Sequence, residues 1–190
     1  MGISQLNAPP VVTIFGSSRP RDGEPEYQLA RDLGRALAVA GFAVCNGGYA
    51  GIMEASARGA RDAGGSTIGV TVSSFVTRNA NPWILEQEDR PTLIDRMMRL
   101  IERGDAYVIL KGGTGTLLEL AAVWELMNKG LLPERPIVVV GDFWEGVIAT
   151  LKNELDWEGA AQCTKYVLVA ADADSCVRLL TARLGGNHER

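Results

Sequence analysis

Short, unbroken apolar runs separated by longer amphipathic stretches constrain this chain more than any other feature. Val11–Phe15, Phe42–Cys45, Thr67–Val72, Ala106–Leu110, Ile137–Val140 and Val167–Val169 are dominated by Val, Ile and other apolar residues. They lack the strict apolar–polar alternation of a strand with one wet face, so they predict strands covered on both sides. Between the first two runs, Glu26–Ala40 places Leu29, Leu33, Leu37 and Ala40 on one helical face, and Gly41 stops it. Similar spacing predicts helices over Gly51–Ala63, Pro91–Arg103, Thr116–Asn128, Phe143–Glu154 and Asp174–Leu184, with a loop over 73–82 and a short strand at Trp83–Glu86. Strands alternating with helices, joined by right-handed crossovers, make a doubly wound, Rossmann-like α/β fold. Its sheet is mostly parallel, with helices on both faces. All 190 residues read as one domain without linker or repeat, with residues 1–10 and 186–190 expected to be flexible tails.

Composition narrows the function classes. A net charge of −4 gives no basic stripe for nucleic acid, and no run of 18 apolar residues offers a membrane span. Met1–Pro10 lacks both the basic and the apolar segments of a signal peptide. Cys45, Cys163 and Cys176 are odd in number and have no metal-site spacing, which fits reduced thiols in the cytoplasm. The lone histidine, His188, lies in a polar tail and is read as solvated, so histidine catalysis is not expected. No cofactor or metal is expected.

Of the 22 glycines, clusters stand at Gly47-Gly48, Gly51, Gly64-Gly65 and Gly112-Gly113-Thr114-Gly115, so they look positional. Gly16-Ser17-Ser18-Arg19 follows the first strand, Asn46-Gly47-Gly48-Tyr49-Ala50-Gly51-Ile52-Met53 the second, and Lys111-Gly112-Gly113-Thr114-Gly115-Thr116 the Ala106–Leu110 strand. In doubly wound folds ligands bind at those ends. Each turn precedes a helix, whose N-terminal N–H groups and dipole favour an anion, and glycine lets the anion approach the backbone. Gly16, Ser17, Gly47, Gly48, Gly112, Gly113, Thr114, Gly115 and Thr116 are therefore the candidate phosphate and nucleotide contacts. The spacing G-x-x-x-x-G-K-[ST] of a P-loop is missing, as are G-x-G-x-x-G and an acidic residue after the second strand, which excludes the familiar ATPase and dinucleotide motifs.

Lys111–Glu119 resembles the P-G-G-x-G-T-x-x-E signature of the LONELY GUY (LOG) family, and Gly47–Met53 is similar to that family's G-G-G-x-x-G-x-M turn. Phe15-Gly16-Ser17-Ser18 and Pro25-Glu26-Tyr27 match its opening strand and helix, so the likeness runs over residues 11–155. The resemblance implies a phosphoribohydrolase that cleaves the N-glycosidic bond of a nucleoside 5′-monophosphate, a cytokinin ribotide or AMP, releasing free base and ribose 5-phosphate. It also implies a homodimer or higher homo-oligomer. The family pairs its glutamate with an arginine in an H-E-R-K-like stretch; the matching residues are Ile94-Asp95-Arg96-Met97, which makes Arg96 and Glu119 the candidate catalytic pair. Departures are Ile94 and Met97 beside Arg96, Asp95 for Glu, Lys111 for the signature proline and Asn46 for the first glycine of the turn.

Plainer readings compete. Thr116 and Glu119 have the spacing of a capping box with Thr116 as N-cap. Arg96, Arg99 and Arg103 recur along one helix face, and for Arg99 and Arg103 the reading is a solvated face. Lys111 at an anion site is read as a phosphate contact rather than a pyridoxal lysine. Trp124, Met127, Leu131 and Leu132 form either an exposed apolar patch or core. The alternative function is a non-catalytic nucleotide or molybdenum-cofactor carrier of the same fold.

Overall fold

The apolar runs become the strands of one sheet. In chain order they are β1 (Val11–Phe15), β2 (Ala43–Asn46), β3 (Thr67–Val72), β4 (Glu86–Arg90), β5 (Ala106–Ile109), β6 (Ile137–Val140) and β7 (Val167–Ala170). The computed structural model describes residues 8–73 and 79–185. The helices are α1 (Pro25–Val39), α2 (Ile52–Asp62), α3 (Leu93–Arg103), α4 (Thr114–Asn128), α5 (Glu145–Trp157) and α6 (Ala173–Gly185), with a 3₁₀ turn at Ala161–Tyr166. Most of the first expected tail, all of the second and His188 lie outside the described residues.

Strand order is β4-β3-β2-β1-β5-β6-β7, and every pairing is parallel. The chain winds outward from β1 to β4, returns to place β5 beside β1, then winds the other way. The direction therefore switches between β1 and β5, where Val12 lies opposite Ala106 and Phe15 opposite Ile109. That is where a crevice opens beyond the strand ends.

Two apolar layers sandwich the sheet. Val12, Ile14, Val44, Val108 and Val140 meet α1, α2 and α6 on one face. Phe15, Val70, Tyr107, Ile109 and Val139 meet α3, α4 and α5 on the other. Alternate residues of one strand thus serve opposite cores, which is why the runs carry no polar face. Trp124 and Met127 belong to the second core, and the Trp124 indole N–H donates to the Cys163 carbonyl at 3.0 Å. Leu132 is partly buried against the same core and Leu131 is exposed, so these residues form no common patch.

One strand differs from expectation. β4 covers Glu86–Arg90 rather than Trp83–Glu86, and it is a charged, half-exposed edge strand. Arg99 and Arg103 of α3 clamp it: Arg99 Nε lies 2.6 Å from Glu88, and Arg103 pairs with both Glu88 and Glu86. These two arginines are ion-paired rather than simply solvated, and charge on this edge guards it against pairing with another chain.

Candidate active site

The crevice at the switch point holds a cavity of about 490 Å³ lined by Gly16, Ser17, Ser18, Arg19, Tyr49, Met53, Arg96, Gly113, Thr114, Gly115, Thr116 and Glu119. The loops after β1, β2 and β5 build it together with residues of α2, α3 and α4. Ser17 ties the loops together: its N–H donates to the Lys111 carbonyl at 3.0 Å, and its own carbonyl accepts from Ile52 at the start of α2 at 2.9 Å. Its hydroxyl accepts from the Arg19 N–H at 3.1 Å, fixing the turn.

The N-terminus of α4 points into this cavity without a side-chain cap. Gly113 is the N-cap, so Thr114, Gly115 and Thr116 are the first three helical residues, whose N–H groups have no partner within the helix. A Cβ built on Gly113 or on Gly115 would meet nothing within 4 Å, and neither residue has positive φ. Neither packing nor backbone conformation demands glycine at these two positions. Gly112 differs, since a Cβ there would overlap the Thr116 side chain.

This start corrects the capping-box reading. The helix begins two residues before Thr116, which makes Glu119 its sixth residue, beyond reach of the N-cap. A side-chain N-cap does exist elsewhere: Thr92 accepts from the Asp95 N–H at 3.1 Å and starts α3.

Arg96 enters the cavity from α3 and is buried. Its Nε donates to the Val70 carbonyl at 2.7 Å, its guanidinium lies 5.5 Å over the Tyr49 ring, and its terminal nitrogen is 3.7 Å from Met53 Sδ. Gly47 lies beneath it, and a Cβ at Gly47 would overlap the guanidinium. Burial works against the Arg96 charge, and Glu119 offsets part of that. Glu119 is half-buried; burial pushes its carboxyl up to about 7, with Arg96 pulling the other way. A carboxyl that titrates near neutrality beside a fixed cation suits proton transfer or charge stabilisation.

A sequence model of the SLOG cluster4 family matches residues 9–156, the stretch that holds all three turns and both charged residues. The chain belongs to the SLOG cluster4 family. It is 34% identical to a Mycobacterium tuberculosis protein named cytokinin riboside 5′-monophosphate phosphoribohydrolase, over 85% of this chain and 87% of that one. A protein of the same name from Rhodococcoides fascians is 33% identical, over 70% and 69% of the two chains. Among solved structures, the molybdenum cofactor carrier protein from Chlamydomonas reinhardtii shares the fold with a TM-score of 0.75 at 22% identity, covering 93% of this chain and 99% of that one. The molybdenum cofactor binding protein from Rippkaea orientalis gives 0.72 at 23%, covering 93% and 98%.

Within this SLOG cluster4 fold, Arg96, Glu119, Gly16, Ser17, Gly113, Thr114, Gly115 and Thr116 converge on one cavity as their sequence positions suggest. Gly47, Gly48 and Gly112 do not line it. Gly47 makes room for Arg96, and Gly48 is buried at φ 75° against Thr71 and Gly69. Lys111, expected at the anion site, does not line this cavity; it pairs with Glu26 at 2.6 Å and lies 5.7 Å over the Phe143 ring. Asn46, in place of a turn glycine, staples the β2–α2 turn. Its Oδ1 accepts from Gly48 N–H at 2.8 Å, and its Nδ2 donates to the Met53 carbonyl at 2.9 Å and to Ser56 at 3.1 Å. Ser18, Arg19, Tyr49 and Met53 were not among the expected site residues, although each sits inside a glycine-rich turn.

All three cysteines are free and buried, and burial pushes Cys45 and Cys176 up to about 12, so neither supplies a thiolate. Among the described residues, no group of three or more His, Cys, Asp and Glu could hold a metal ion, and no helix is long and apolar enough to cross a membrane.

Proposed function

We propose that the protein is a phosphoribohydrolase that cleaves the N-glycosidic bond of a nucleoside 5′-monophosphate. The observation that carries this reading is the meeting, in one cavity, of an uncapped helix N-terminus with open space at Gly113 and Gly115 and a half-buried carboxyl of pKa about 7 beside Arg96. The first feature suits a phosphate and the second suits a sugar that becomes cationic. The names of the relatives agree with both.

In this reading the 5′-phosphate docks on the N–H groups of Thr114, Gly115 and Thr116. Glu119 then lies near the ribose. Its ionised carboxylate stabilises the oxocarbenium-like transition state as the C1′–N bond breaks, and takes a proton from the water whose oxygen bonds to C1′. A proton returns to the departing base nitrogen, giving free base and ribose 5-phosphate. Arg96 remains charged throughout. Anchored to Val70 and Tyr49, it orients Glu119 and holds the carboxyl more acidic than burial alone would leave it. A homo-oligomer, as the family resemblance implies, fits the exposed Leu93 and Ile94 at the start of α3 and Leu117 and Leu118 on α4.

The alternative is a carrier that holds a phosphorylated ligand without cleaving it. It is favoured by α3 itself, where the apolar Ile94, exposed, and Met97, buried in the core, stand beside Arg96 in place of the His and Lys of the resembled H-E-R-K-like stretch. A panel of purine and pyrimidine nucleoside monophosphates separates the two. The enzyme releases base from at least one; the carrier binds and releases none.

A further inference from the structure

The cavity lined by Arg96 and Glu119 has neighbours. Two further cavities adjoin it, one of about 560 Å³ sharing Ser18 and Arg19 with it and one of about 480 Å³ sharing Ser18 and Tyr49. Glu54 lines both of these and belongs to neither the phosphate cradle nor the Arg96–Glu119 pair. Two of the polar groups near it are committed. Asn81 donates its amide to the Gly48 and Tyr49 carbonyls at 3.1 and 2.9 Å, and its oxygen accepts from Trp83 N–H at 3.1 Å. The Tyr49 hydroxyl accepts from Val72 N–H at 2.9 Å. Glu54 is different: its carboxylate accepts the Tyr27 hydroxyl at 3.0 Å, which takes one of roughly four acceptor positions.

A plain structural role accounts for part of this. Glu54 lies in the first turn of α2, where negative charge is favourable, and it anchors Tyr27. That role leaves the carboxylate partly exposed on the wall of two cavities that share lining residues with the site, with acceptor capacity to spare. For a nucleotide whose phosphate sits on α4 and whose ribose lies by Glu119, these neighbouring cavities are the candidate place for the base.

We propose, resting on the phosphoribohydrolase reading, that Glu54 is a specificity-determining residue. It accepts a hydrogen bond from an exocyclic amine on the base and so selects amine-bearing purines over those without one. A carboxylate only accepts, so a base edge offering only acceptors meets repulsion there.

The test is calorimetric titration of the Glu119→Gln variant, in which turnover is suppressed, with two ligand pairs that differ by one amine: AMP against purine riboside 5′-monophosphate, and GMP against IMP. The amine-bearing member of at least one pair should bind roughly tenfold tighter or more, as expected of a hydrogen bond to a charged group. Adding Glu54→Gln, which keeps an acceptor for Tyr27, should shrink that preference at least threefold while leaving the affinity for ribose 5-phosphate within twofold. If neither pair shows a preference, or Glu54→Gln changes it by less than threefold, Glu54 does not read the base. A parallel loss of ribose 5-phosphate affinity assigns Glu54 a structural role and overturns the proposal. Failure of all four monophosphates to bind overturns the phosphoribohydrolase reading itself, and this one with it.

Discussion

Replacing Gly115 with alanine separates the fold's needs from the ligand's. Gly115 is the second residue of α4, exposed, without positive φ, and with nothing within 4 Å of where its Cβ would stand. Alanine costs about 0.5–1 kcal/mol less than glycine inside a helix. At this terminal position roughly half of that applies, so the fold should gain about 0.25–0.5 kcal/mol, or roughly 0.5–2 °C in Tm for a chain this long. The same methyl group would stand where an anion must approach the N–H groups of Thr114–Thr116. Losing one hydrogen bond to a charged group costs about 1.5–3 kcal/mol, so affinity for ribose 5-phosphate should fall roughly tenfold to a hundredfold. A thermal melt beside a calorimetric titration reads both numbers from one sample. Unchanged affinity would place the anion elsewhere; a Tm lower by more than about 3 °C would mean that the glycine serves the fold.

Other substitutions probe the remaining parts of the site. Gly113→Val should weaken ribose 5-phosphate binding far more than it lowers Tm, because valine fills the open space at the N-cap; titration and melt compare the two. Gly47→Ala should displace the Arg96 guanidinium and cut turnover at least tenfold with little loss of ribose 5-phosphate affinity, which steady-state kinetics and titration distinguish. Glu119→Gln should raise stability at pH 8 but not at pH 5. The Glu119 carboxyl rises from its ordinary 4.5 to about 7 in the fold, so stability from its neutral form is complete below the unfolded value and is lost as pH climbs through about 7. The full cost to the ionised form is roughly 3 kcal/mol, and partial exposure about halves it. Melts of both proteins across pH 5–8 should diverge by roughly 3–6 °C.

The strands buried on both faces were legible because their apolar runs have no other stable use in a chain of this composition. β4 was not: Glu86-Gln87-Glu88-Asp89-Arg90 carries no apolar signal, and it is a strand because β3 pairs with it and α3 supplies Arg99 and Arg103. The glycine-rich turns marked the end of the sheet where the cavity opens, but glycine alone did not say which residues line it. Gly47 makes room for Arg96 from a helix far along the chain, and Gly112 for Thr116. Among the glycines of the three turns, Gly113 and Gly115 alone have open space where a Cβ would stand. Thr116 and Glu119 looked like a cap because their spacing fits one; the helix starts earlier since Gly113 serves as N-cap without any side-chain bond. Lys111 pairs with Glu26 outside the cavity, a contact between residues far apart in sequence that no local motif reveals.

The central claim is that this cavity breaks a C1′–N bond, and the direct measurement is ribose 5-phosphate formed from nucleoside monophosphates by the wild-type protein and by Glu119→Gln across pH 5–9. Wild-type turnover should rise with pH along a single limb centred near 7, as Glu119 ionises. Glu119→Gln should bind the same nucleotide and turn it over about 10²–10³ more slowly, with no such limb. Wild-type protein that binds monophosphates tightly yet forms no ribose 5-phosphate from any of them, or a Glu119→Gln variant as active as wild type, would contradict the account.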